Sequence, residues 1–146
     1  MEFFCENMFL AENSDVVDVL LVVDVFEHVP DYMGFVSKCR SMGTFKVYHI
    51  PLDIHVSSVL RNTFDRTRQD IGHLHSFTAS SAIATLRDTG HEIVDQFYTD
   101  GASGLFRQHP SIKRAMANIP RRLLSKFSVP FTARLLGGYS LLVLAK

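Results

Sequence analysis

Five residues of this 146-residue chain combine reactive chemistry with suggestive spacing: Asp24, Glu27 and His28 within one five-residue stretch, and His73 and His75 further on. An imidazole with an unperturbed pKa near ~6.5 exchanges protons at neutral pH. His28 is therefore a candidate general base for a hydroxyl or amine nucleophile. The plainer role for His28 is to cap or pack the start of the next helix. Glu27 either orients His28 or begins that helix, where a negative charge suits the dipole; the helix role is preferred. Asp24 can serve as a cap as well. His73 and His75 alternate along an extended segment, so only one of them can face a given side. A metal site needs three or four converging ligands. Spacing alone does not assemble them, and no metal is expected.

The elements that would position these residues are legible from hydrophobic patterning. Val19 to Val23 is a continuous β-branched run ending at Asp24, as in a parallel strand covered on both faces. A ligand site belongs at the carboxyl end of such a strand, where His28 lies. Glu2 to Cys5 can be the end of an earlier strand. Pro30-Asp31 opens a helix that runs to about Ser41, with Gly43 placed for a left-handed cap. Thr44 to Ile50 is a second strand closed by Pro51. Residues 52 to 76 read as a long, partly helical loop. Thr78 or Ser80 caps a helix that ends at Thr89-Gly90, and His91 to Thr99 is a third strand. Pro110, Pro120 and Pro130 divide residues 102–134 into short basic helices. Gly137-Gly138 introduces a last strand, Tyr139 to Ala145. This order specifies a single α/β domain over residues 1–146.

Charge is balanced overall, with 15 basic and 15 acidic residues, but it is unevenly spread. Residues 1–100 carry a net −8 and residues 101–146 a net +8. The basic stretch holds Arg107, Lys113, Arg114, Arg121, Arg122, Lys126 and Arg134. It reads either as a lid over an anionic substrate or membrane surface, or as amphipathic helices whose apolar residues pack on the sheet; packing is preferred. There is no strong signal for nucleic acid. Cys5 and Cys39 have no paired motif and read as core thiols in a reducing, cytoplasmic setting. No signal peptide or bilayer-spanning run is expected.

The stretch Asp18 to Asp31, DVLLVVDVFEHVPD, resembles the fourth strand and following loop of class I S-adenosylmethionine-dependent methyltransferases. Three further pieces follow in that family's order: Gly72-His-Leu-His-Ser-Phe-Thr78, then Thr89-Gly90 before His91-Glu-Ile-Val, and the terminal Gly-Gly-Tyr-Ser-Leu-Leu-Val-Leu-Ala-Lys. The resemblance implies the carboxy-terminal half of a Rossmann-like domain. Its sheet would be mostly parallel, with about four strands, a final antiparallel strand and a helical insertion at about 102–136. It further implies S-adenosylmethionine as cofactor, with Asn7, Asp24, Val25 and Phe26 as contacts, His28 as the catalytic residue and His73 and His75 toward the substrate. The acceptor would be a small-molecule, lipid-linked or sugar-type compound. His91 stands where the family has an aromatic residue, at what reads as a surface strand end.

One family feature is missing. No Gly-x-Gly turn follows a strand anywhere in the sequence, and that turn lets backbone amides approach the cofactor. Two other readings follow: a catalytically inactive remnant or interaction module, and a metal-assisted RNA 2′-O-methyltransferase, whose sites Asp24-x-x-Glu27-His28 resembles. The first full strand would have a bare edge, open to a second chain or a self-dimer.

Overall fold

The computed structural model describes residues 16–101 and 112–146, except the side chains of 112–117. Four strands form one mixed sheet: β1 (Val17–Val23), β2 (Gly43–Pro51), β3 (Ile93–Asp100) and β4 (Tyr139–Ala145), in the spatial order β1-β2-β4-β3. β1 runs parallel to β2, with Val23 opposite His49. The last strand inserts between β2 and β3, antiparallel to both, so β3 ends at the same sheet edge as β1 and β2. The expected partial Rossmann-like layout is thus present, with its antiparallel strand beside the others. Asn7 and the early strand at 2–5 lie outside the described residues.

Local signals explain most boundaries. Helix α1 (Tyr32–Cys39) begins after Asp31, whose carboxylate accepts from the Gly34 amide at 2.9 Å. Pro30 therefore precedes the cap and is not within the first turn. Gly43 opens β2 in place of capping α1, and its close neighbour is Leu20 of β1. The stretch read as a loop forms two short helices, α2 (Val56–Arg61) and α3 (Phe64–Ile71), the latter stopped by Gly72 in left-handed conformation. Thr78, not Ser80, caps α4 (Ala79–Asp88), in a reciprocal arrangement with Ser81. Pro120 sits inside one helix, α5 (Ile112–Ser125), where division was expected. Its fixed φ is helical, and the loss is confined to one hydrogen bond and one crowded turn. Ser128 caps α6 (Val129–Leu136), with Pro130 in its first turn.

The core lies on one face of the sheet. Val22, Tyr48, Ile50, Leu141, Val143 and Ala145 point into it, against Val36 and Cys39 of α1 and Ala82, Ile83 and Leu86 of α4. The opposite face is much less covered. Val17, Val19, Leu21 and Val23 of β1 and Phe97 of β3 are each about half exposed. Among the described residues, β1 is thus an edge strand with one open apolar face, not the doubly covered central strand its composition describes. After residue 112, α6 buries Thr132 and Ala133, but several apolar side chains depart from expectation. Ile119, Leu123, Phe127 and Phe131 stay exposed beside Arg122 and Lys126 in place of packing on the sheet. Among the described residues, no helix is long and apolar enough to cross a membrane.

His91 is buried, not a surface strand end. It precedes β3, and its ring bridges Tyr48 Oη, 2.8 Å from Nε2, and Thr89 Oγ1, 3.1 Å from Nδ1. Burial lowers its pKa, and the charges of Lys46 and Arg40 push the same way. The folded state therefore favours neutral His91. Its contribution is complete above the unfolded pKa of about 6.5 and is lost as pH falls from there through the lower folded pKa. Urea midpoints measured from pH 7.5 down to pH 5 should fall more steeply for the wild type than for His91→Gln. Parallel curves would contradict this placement.

Candidate functional site

Two histidine–carboxylate groups stand at the carboxyl edge of the parallel strands. The first spans three strands. Asp24 leaves β1 with φ +50, a left-handed conformation rare for a residue other than glycine. Its carboxylate meets His49 Nδ1 at 2.7 Å, and His49 Nε2 lies 3.1 Å from Thr99 Oγ1. Backbone strain of this kind costs on the order of 1–3 kcal/mol and gathers at functional positions. His49 and Thr99 were not singled out from the sequence. The period-two pattern of β2 sets His49 on the face opposite Tyr48, but only the strand order puts it beside Asp24.

The second group is built on the turn after β1. Phe26–His28 form a single 3-10 turn, and both Leu74 and His75 donate their amides to the Glu27 carbonyl, at 2.8 and 3.0 Å. This docks the Gly72–Phe77 segment across the turn. His73 is thereby brought against His28, with ring centroids 4.8 Å apart. His73 Nδ1 lies 2.5 Å from the Asp53 carboxylate, and His28 Nδ1 lies 3.0 Å from the Gly72 carbonyl oxygen. The Glu27 carboxylate is 3.9 Å from His28 Nε2.

Glu27 does not start a helix dipole arrangement as expected. Its side chain is 0% exposed, and neither carboxylate oxygen has a hydrogen-bond partner. Desolvation raises its pKa, and the Asp24 charge adds to this; its own backbone amide, His73 and His28 moderate the rise. Neither sequence position nor composition marks Glu27 as buried, since glutamate is almost never found so without a partner.

The remaining anticipated site residues separate cleanly. Asp24 and Val25 border the strand end, with Asp24 half exposed and Val25 packed against the core. Phe26, read as a cofactor contact, is a core residue. Its ring is fully buried against Phe77, Tyr48 and Tyr32, so it offers no side-chain surface to a ligand. His75 turns away from the cluster. Its Nε2 lies 3.1 and 3.2 Å from the carbonyl oxygens of Val29 and Pro30, and its ring packs on Tyr32. Only His73 of the two faces His28, as the alternation required. Arg107 and the side chains of Lys113 and Arg114 lie outside the described residues.

The sequence matches no protein-family model and no curated protein. The fold does match solved structures. A protein assigned as a methyltransferase from Bacillus halodurans C-125 superposes with a TM-score of 0.54 at 14% identity, over 96% of this chain and 68% of its own. A protein assigned as a sarcosine dimethylglycine methyltransferase from Galdieria sulphuraria gives 0.55 at 16%, over 96% of this chain and 56% of its own. The cyclase SpnF gives 0.54 at 14%, over 99% of this chain and 56% of its own. This chain thus spans 56–68% of the proteins it resembles. At such identities the likeness concerns architecture, and the described chain has a partial Rossmann-like fold of the methyltransferase type.

Proposed function

We propose that this chain is the acceptor-side portion of an S-adenosylmethionine-dependent methyltransferase acting on a small-molecule, lipid-linked or sugar-type acceptor. The observation that carries it is the gathering of Glu27, His28 and His73 in the loop after a parallel strand, next to Asp24, on a methyltransferase-type sheet. One structural neighbour is named a cyclase, so the sheet by itself does not decide the chemistry.

Asp24 and Val25 fit one wall of a cofactor site, but the glycine-rich turn that would hold the methionine part is not in the sequence. The cofactor, when bound, supplies a methyl group already activated on a sulfonium. The task left to the chain is to hold the acceptor in line and take up its proton. His28 suits that role. With Nδ1–H donated to the Gly72 carbonyl, Nε2 keeps the lone pair, beside the Glu27 carboxylate. The other wall of the site would rest against β1, whose apolar face is about half exposed among the described residues.

Calorimetry of the isolated chain with S-adenosylmethionine or S-adenosylhomocysteine tests this reading. Micromolar affinity is the expected outcome for a chain that retains its cofactor wall. Absence of heat at high micromolar protein removes the enzyme assignment and leaves the open sheet as an interaction module.

A further inference from the structure

We infer that Glu27, His28 and His73 form a binding site for a first-row divalent cation. This goes beyond methyl transfer and does not depend on it. Each of the three residues offers one ligand atom, and these atoms lie within 4.8 Å of one another. Bonds to zinc from nitrogen and oxygen are about 2.0–2.2 Å, so a tetrahedral set has ligand atoms about 3.4 Å apart. Holding an ion would draw these atoms closer together than the 4.8 Å within which they now lie.

Three independent features point to a cation. The first is the Glu27 carboxylate, wholly buried with neither oxygen hydrogen-bonded. Burying a carboxylate without a partner is costly, and buried charges are normally paired or coordinate metals. A divalent cation would neutralise this carboxylate through one of its oxygens.

The second is the state of the imidazoles. Both present Nδ1 to an oxygen acceptor, the Asp53 carboxylate for His73 and the Gly72 carbonyl for His28. Such outer partners fix the tautomer and leave Nε2 as the lone-pair nitrogen, as metal-ligating histidines require. A carboxylate behind one imidazole also makes it a stronger donor.

The third is access. His73 and Glu27 are interior while His28 is substantially exposed, so the cluster opens to solvent on one side. Two neutral imidazoles and one carboxylate would leave a divalent ion with net positive charge and at least one open position. Imidazole donors favour zinc, copper, iron or nickel over magnesium, calcium or manganese. With an ion in place, His28 Nε2 would be a ligand and no longer a base. An acceptor hydroxyl or water at the open position would then lose its proton to solvent more easily, since zinc lowers the pKa of bound water to about 7.

The experiment is titration of the chelator-treated full chain with Zn2+ by calorimetry, repeated with Co2+ while recording visible absorption. Binding of one equivalent, with cobalt bands showing nitrogen ligation, is expected. Glu27→Gln and His73→Ala should each weaken it by more than about 100-fold. Asp53→Asn should fall within the roughly 10–100-fold range of an outer-shell partner. His49→Ala and His55→Ala, outside the cluster, should bind as the wild type does. Circular dichroism melts establish that each variant is folded, and the near-isosteric Glu27→Gln serves if His73→Ala is not. A wild type without a one-equivalent site, or undiminished binding by folded Glu27→Gln, overturns the inference. Neither result requires cofactor or acceptor, so it stands apart from the fate of the methyltransferase reading.

Discussion

Phe26→Ala is expected to destabilise the fold by about 3–5 kcal/mol, the range for an aromatic ring removed from a close-packed core. The ring is fully buried and meets Phe77 and Tyr48 edge-on, with centroids 5.1 and 6.3 Å away, while Tyr32 lies nearly parallel at 6.4 Å. These partners come from α1, β2 and the segment before α4, so four parts of the chain meet at one side chain. Such aromatic pairs add about 0.5–1.5 kcal/mol beyond burial alone. A domain of ordinary stability has about 5–15 kcal/mol in total. The urea midpoint should therefore fall by about a fifth or more, and near-ultraviolet circular dichroism should lose its aromatic signature first. Phe26 occupies the position next to Val25 that resemblance associates with the cofactor, which makes the two roles separable. A variant that keeps its stability and loses only ligand binding would show that the ring faces a pocket after all.

Gly137→Ala should cost about 2–6 kcal/mol, by adding two penalties of about 1–3 kcal/mol each, from backbone strain and from overpacking. Gly137 closes α6 with φ +69 and ψ −160, a region open almost only to glycine. A β-carbon there would also overlap the His55 imidazole. That ring cannot swing aside freely, because its Nδ1 accepts the Ser58 amide at 3.1 Å and caps α2. Gly72→Ala is the control: its φ is +77, but an added β-carbon would come no nearer than 3.5 Å to His28. It should lose only about 1–2 kcal/mol. Removing the ring as well, in His55→Ala/Gly137→Ala, should return part of the loss as a favourable coupling. Equal effects at the two glycines, measured by urea midpoints, would refute the steric part.

Resemblance and patterning reached the elements well because each rests on local chemistry. The run ending at Asp24 has the β-branched composition of a strand, the Thr78 hydroxyl caps α4, and Gly137-Gly138 permits the turn into β4. What failed was judgement about which side of an element meets the rest. The apolar run of β1 suggested burial on both faces, but a strand's composition is suited to neighbours that the described chain does not supply. His91 read as a surface residue because nothing local reveals the Tyr48 hydroxyl waiting 2.8 Å away. The apolar residues of α5 and α6 seemed to demand burial, yet Leu123 and Phe131 are each 56% exposed.

By itself, the sequence determined the element types, the four-strand α/β class and the placing of Asp24 and His28 at the end of a parallel strand. These follow from spacing along one chain, where periodicity and capping act over a few residues. Only the tertiary structure decided which side chains meet. It set His49 and Thr99 beside Asp24, brought His73 across 45 residues to His28, and sealed the Glu27 carboxylate away from water without a hydrogen bond. The physical reason is that convergence is a property of strand order and of loop docking. The two amides given to the Glu27 carbonyl fix where His73 lies, and no pattern read along the chain encodes them.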